Sequence, residues 1–133
     1  EGRLRAAFSY LRKALEKPDI RAALSRRAGS DEEEVVWRER RFCVEVPGKG
    51  QCEGAFDRVV LTRDAGGRVT AAVIQDYKTD TVAADLLDER VAYYAPQLAT
   101  YRRALAVMTG LAESAIGTEL LFLSLGCVRT VGA

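Results

Sequence analysis

Apolar positions along this chain repeat with two periods, and each change of period marks a change of element. Over residues 3–17, Leu4, Ala7, Phe8, Leu11 and Leu15 fall at three- and four-residue steps with basic residues between them, which predicts an amphipathic helix. Pro18 ends that pattern. Asp19 is placed to cap a second short helix running to about Arg27, with Ile20, Ala23 and Leu24 turned inward and Gly29 closing it. The period then shortens. Residues 35–46 predict a strand with Trp37 and Phe42 as bulky packing residues, followed by a turn at Pro47, Gly48 and Gly50. A second strand is expected over 51–62, and the Gly66-Gly67 pair turns it into a third over 68–77. Short connections make neighbours of consecutive strands, so the middle of the chain is expected to be an antiparallel meander.

After a polar stretch at 79–88 the longer period returns. Tyr94, Leu98, Tyr101, Leu105 and Met108 form the packing stripe of a helix that ends near Gly110, with Pro96 either in its first turn or kinking it. An apolar run at 119–125 predicts a buried strand, and Gly126 turns it into a last short strand over 127–131.

With 133 residues, 48% of them hydrophobic and 29% charged, the chain is expected to form a single globular α/β or α+β domain. A net charge of +1 supplies no global field, so any nucleic acid must be met by a local basic surface. Arg3, Arg5, Arg12, Lys13, Arg21, Arg26 and Arg27 could track a phosphate backbone, but they fit the solvated side of surface helices better. The acidic run 31–34 is expected to be an exposed loop. Cys43, Cys52 and Cys127 form no C-x-x-C pair and are expected to be reduced, as in a cytoplasmic protein. No apolar run is long enough to suggest membrane insertion. The chain opens at Glu1 rather than methionine, which suggests a piece cut from a larger protein.

Histidine is absent, which removes Ser/His, Cys/His and His-ligated zinc mechanisms and leaves carboxylate, lysine, tyrosine and backbone as the chemical vocabulary. Within that vocabulary the run V-I-Q-D-Y-K-T-D at 73–80 stands out. Asp76 and Lys78 leave a strand on the same face, about 6.5–7 Å apart at their Cα atoms. An anion beside a cation suits metal-assisted hydrolysis, with Asp76 holding a divalent ion and Lys78 orienting water or steadying phosphate charge. Asp57 lies in the otherwise apolar run G-A-F-D-R-V-V, where an unmatched acid is costly. Arg58 points to the opposite face of the strand, so a metal shared with Asp76 explains Asp57 better than a salt bridge does. Gln97 and Tyr101 are four apart and can reach a common ligand. The G-K-G at 48–50 lacks the spacing of a phosphate-binding loop.

Taken together, G-A-F-D-R-V, I-Q-D-Y-K-T-D and Y-x-x-Q-L-x-x-Y, in that order, resemble the PD-(D/E)XK nuclease domain of the RecB and AddA type over residues 37–131. W-R-E-R-R-F matches the usual lead-in strand. The resemblance implies an α/β fold with a restriction-endonuclease-like core, a mixed sheet made of an antiparallel meander plus a later strand, flanked by helices. It implies a single domain with a helical lead-in at 1–30 and a nuclease core at 35–131, expected to be a fragment of a larger helicase-nuclease. It implies a DNA exonuclease of repair and recombination, in which Asp57, Asp76 and the main-chain carbonyl of Tyr77 bind Mg²⁺ or Mn²⁺. Lys78 is then the catalytic lysine, with Gln97 and Tyr101 beside the active site. Its implied partners are single-stranded DNA ends and a helicase domain in the same or another chain. RecB-type nucleases usually carry a histidine upstream, and this chain has none, nor can its three cysteines supply the usual four ligands of an iron-sulfur cluster. The competing expectation is a domain of the same fold that binds DNA, or acts as a scaffold, without turnover.

Overall fold

The structure, a computed structural model, describes residues 5, 9, 11–26, 29 and 31–132. Of the first predicted helix, residues 11–14 are helical, and most of its remaining length, like Arg3 and Arg27, lies outside the described residues. Helix α1 spans Pro18–Leu24. Its N-cap is Lys17 and Pro18 fills the first helical position, where a missing N–H costs nothing, so the proline starts this helix and Asp19 sits in its first turn instead of capping it. The helix also stops sooner than expected, at Ser25, whose hydroxyl donates back to the Arg21 carbonyl over 2.7 Å.

Five strands follow: β1 (Glu33–Val46), β2 (Gly50–Arg63), β3 (Val69–Lys78), β4 (Ile116–Phe122) and β5 (Cys127–Thr130), in the sheet order β1-β2-β3-β4-β5. The first three form the expected antiparallel meander. Its tight turns have local causes. Gly48 and Gly50 adopt φ of 81° and 82°, and Asp64 Oδ1 accepts the N–H groups of both Gly66 and Arg68. Glu33 and Glu34 belong to β1, so only the first half of the acidic run is the loop that was expected.

Helix α2 (Leu87–Thr109) carries the chain from β3 to β4, and that crossover makes β4 parallel to β3. Pro96 lies well inside α2, not in its first turn. Gly110 closes the helix at φ 76°, its N–H on the Ala106 carbonyl. β4 begins three residues earlier than the apolar run suggested and ends at Phe122, where Gly126 N–H turns back to the Phe122 carbonyl.

The sheet is covered on both faces. Against α2, Val59, Leu61, Ile74, Leu120 and Phe122 pack with Leu98 and Leu105. On the other face, Ile20 and Ala23 of α1 and the preceding Ala14 pack on Leu121 and Leu123. No helix among the described residues is long and apolar enough to cross a membrane.

Candidate active site

β3 presents Asp76 and Lys78 on its α2 face, in line with the buried Ile74 and Ala72. The lysine ammonium lies 2.8 Å from Asp76 Oδ2. Asp57 arrives from β2 on the same side, close enough to Asp76 for the two carboxyl groups to share a hydrogen bond. Its Oδ2 also accepts the Tyr77 main-chain N–H over 2.9 Å. Two acids and one ammonium therefore meet at one point, facing Tyr94 of α2.

Alternation puts Asp57 on the face of Val59 and Leu61, and an irregularity in the sheet lies at the same place. In β2, the odd-numbered Val59 and Leu61 face α2, but so does the even-numbered Phe56. In β1 the same exchange occurs between Trp37 and Phe42. The two strands slip phase at the same level, where Glu39 takes a φ of 48°, rare for a residue with a side chain. Asp57 sits at this slip. The β2–β3 ladder runs only as far as Arg58 opposite Gln75, whereas β3 continues beside β4 to Lys78. Past the split, the Asp57 carboxylate takes the Tyr77 N–H that a strand would have taken. In a strand the N–H and C=O of one residue point to the same side, so the Tyr77 carbonyl faces this opening too.

Burial first, and then the hydrogen bond to Asp76, push Asp57 up from 3.8 to about 6. The Tyr77 N–H and the Lys78 ammonium oppose that shift and do not cancel it. Asp76 Oδ2 is buried and makes no hydrogen bond; the nearby ammonium is its ion-pair partner only. Two facing carboxylates, a buried oxygen held only by an ion pair and a main-chain carbonyl at a strand split are a donor set that fits a small, oxygen-liganded divalent cation. Among the described residues, no three Cys, Asp or Glu side chains gather, so the side-chain share of any such site is these two carboxylates.

Arg58 does turn to the other face. Its guanidinium donates to Gln75 Oε1 (2.5 Å) and the Leu24 carbonyl (3.4 Å), while Gln75 Nε2 donates to the Ala23 carbonyl (2.7 Å) and Glu119 Oε1 (3.2 Å). Gln97 is exposed on α2. Tyr101 lies edge-on to Phe42 and Phe56, at 5.2 and 5.5 Å between ring centroids, and is a packing residue in this arrangement. A Cβ at residue 54 would come within 3.0 Å of both the Tyr101 hydroxyl and Phe42, so a glycine lets the aromatic group close on the strand. Periodicity alone had made Tyr94 a packing residue. Its ring lies over the Lys78 ammonium at 3.9 Å, and the signal was its place three residues before Gln97 on one helical stripe.

No curated protein matches this sequence. The model of the PD-(D/E)XK nuclease superfamily matches it over residues 3–131, and its mixed five-stranded sheet flanked by helices is consistent with that family's fold. The chain belongs to the PD-(D/E)XK nuclease superfamily.

Proposed function

We propose that this domain is a divalent-metal-dependent deoxyribonuclease, the exonuclease module of a RecB- or AddA-like helicase-nuclease acting on single-stranded DNA ends in repair and recombination. The observation that carries the reading is the convergence of Asp57, Asp76 and Lys78 where β2 and β3 part. Asp57, Asp76 and the Tyr77 carbonyl would hold Mg²⁺ or Mn²⁺. Such an ion supplies Lewis acidity toward a phosphoryl oxygen and lowers the pKa of water.

The chain's own groups account for the rest. Asp57 must give up its proton to serve as a ligand, and a cation in place of that proton offsets the burial and the neighbouring acid that raised its pKa. Lys78 brings a positive charge to the position where negative charge builds on a phosphate under attack, or orients the attacking water. Gln97, exposed on the stripe that carries Tyr94, is available to the substrate strand; Tyr101 supports the strand split by packing on Phe56, next to Asp57.

The test is cleavage of labelled single-stranded DNA with Mg²⁺ or Mn²⁺ by the wild-type chain and by Asp76→Ala and Lys78→Ala. Loss of cleavage in both variants, with their melting curves retained, is the expected result. Variants that cut as well as the wild type would overturn the assignment. Wild-type protein that binds DNA in a salt-sensitive manner but never cuts it would favour the non-catalytic reading instead.

A further inference from the structure

We infer that Tyr94 and Asp80 are positioning residues for Lys78, forming a seat that keeps its ammonium at the site without drawing on Asp57 or Asp76. The inference rests on the nuclease reading for its functional meaning and on the geometry alone for the seat itself.

Lys78 is held from two sides. On one side is Asp76 Oδ2 at 2.8 Å, and on the other the face of the Tyr94 ring, with the ammonium 3.9 Å from its centroid. A lysine held by Asp76 alone would compete with any cation for the same buried oxygen. An aromatic face attracts an ammonium through its quadrupole and offers no ligand to a metal, so it can keep the lysine in place while the acid is engaged elsewhere.

The ring is fixed in turn. Tyr94 OH donates to Asp80 Oδ2 over 2.5 Å, and Arg90 Nη1 lies 3.8 Å from the same oxygen. This hydrogen bond, and then burial, raise the Tyr94 pKa, so the phenol remains a donor. The main chain of Asp80 is anchored as well: Ser124 Oγ donates to its carbonyl over 2.7 Å, and Leu123 N–H donates to the Lys78 carbonyl over 3.0 Å. The segment 78–80 is thereby tied to the end of β4 before it turns toward α2. Asp80 is not close enough to be the ion-pair partner of Lys78; it acts through the tyrosine.

Two measurements test this. In the metal-free protein with ¹³C-labelled lysine, the Lys78 CεH₂ resonance should be shifted upfield of Lys13, Lys17 and Lys49 by the ring current. The shift should persist in Tyr94→Phe, which keeps the ring, and vanish in Tyr94→Leu, or in Tyr94→Gln if the leucine variant does not fold. An unshifted Lys78 in the wild type overturns the seat. In turnover, Tyr94→Leu should lower kcat about 10- to 100-fold with KM little changed, since a misplaced catalytic group affects the step and not the binding. Tyr94→Phe should restore most of that loss, and in a Lys78→Ala background Tyr94→Leu should cost nothing more. Losses that add in the double variant would show that Tyr94 acts independently of the lysine, and would overturn the inference. Asp76→Ala separates the two readings: if it cuts normally the nuclease assignment fails, whereas a dead Asp76→Ala beside a fully active Tyr94→Leu fails only the seat.

Discussion

Asp57 carries the largest conflict between folding and function in this domain. Its carboxyl group titrates near 6 in the folded protein against an ordinary 3.8, because burial and the neighbouring Asp76 both disfavour its charge. The folded state therefore holds the proton more tightly than the unfolded state. The stability this group contributes is full below about pH 3.8 and is lost as pH rises toward about 6. At neutral pH the ionised acid is a liability to the metal-free fold. Asp57→Asn should thus raise the stability of metal-free protein at neutral pH by about 1 kcal/mol, a figure discounted for the partial exposure of the group. The advantage over wild type should shrink as pH falls through the window between those two values. Thermal melts in chelator across that range measure it, and a gain that does not vary with pH would mean that charge is not the cause. The opposing order is expected with Mg²⁺, which should stabilise the wild type and not the variant. Sequence made the acid conspicuous by setting it among apolar neighbours, but not its proton affinity, which depends on a carboxylate 19 positions away whose approach only the fold determines.

Among the elements, β2 and β3 were legible because alternation and the Asp64–Gly67 turn fix their register locally. Their parting was not, since the phase slip at Asp57 is shared with β1 through Glu39, and no stretch of sequence by itself specifies a pairing partner. Pro96 shows the same limit: a proline marks a helix start by propensity, yet packing of α2 on the sheet carries the helix through it. What pins the strands just before they part is the buried pair Arg58 and Gln75, one residue from each carboxylate. Gln75 makes hydrogen bonds to Arg58, the Ala23 carbonyl and Glu119. Gln75→Leu keeps the volume and removes all of them, which should cost about 2–4 kcal/mol. Urea denaturation gives that number. Amide hydrogen exchange at Tyr77 should quicken as well, because its N–H depends on the strands separating at this point and no earlier; unchanged stability and exchange would show that the register is held elsewhere.

On the scale of the whole domain, the sheet works as a wall with chemistry on its α2 side and a second apolar layer on its α1 side. The one-domain expectation suited composition and length, and the core strands followed from periodicity. The weight of α1 did not, because a seven-residue helix has too short a pattern to show which distant strand it covers. Ile20 is fully buried against Leu121 and Leu123, and the carbonyls of Ala23 and Leu24 accept from the Gln75–Arg58 pair. Helix α1 thus supports the sheet behind the site, by packing and by these two carbonyls. Ile20→Ala should therefore cost about 2–5 kcal/mol, as expected for a large-to-small change in a closed core. The Asp57 carboxyl, on the far face, should keep its raised pKa in the folded variant, since neither the burial nor the acid responsible for it has changed. Urea melts measure the first and carboxyl ¹³C titration the second. A cost below about 0.5 kcal/mol, the usual range for a surface site, would show that the sheet stands without this layer and that Arg58 and Gln75 hold the strand split unaided.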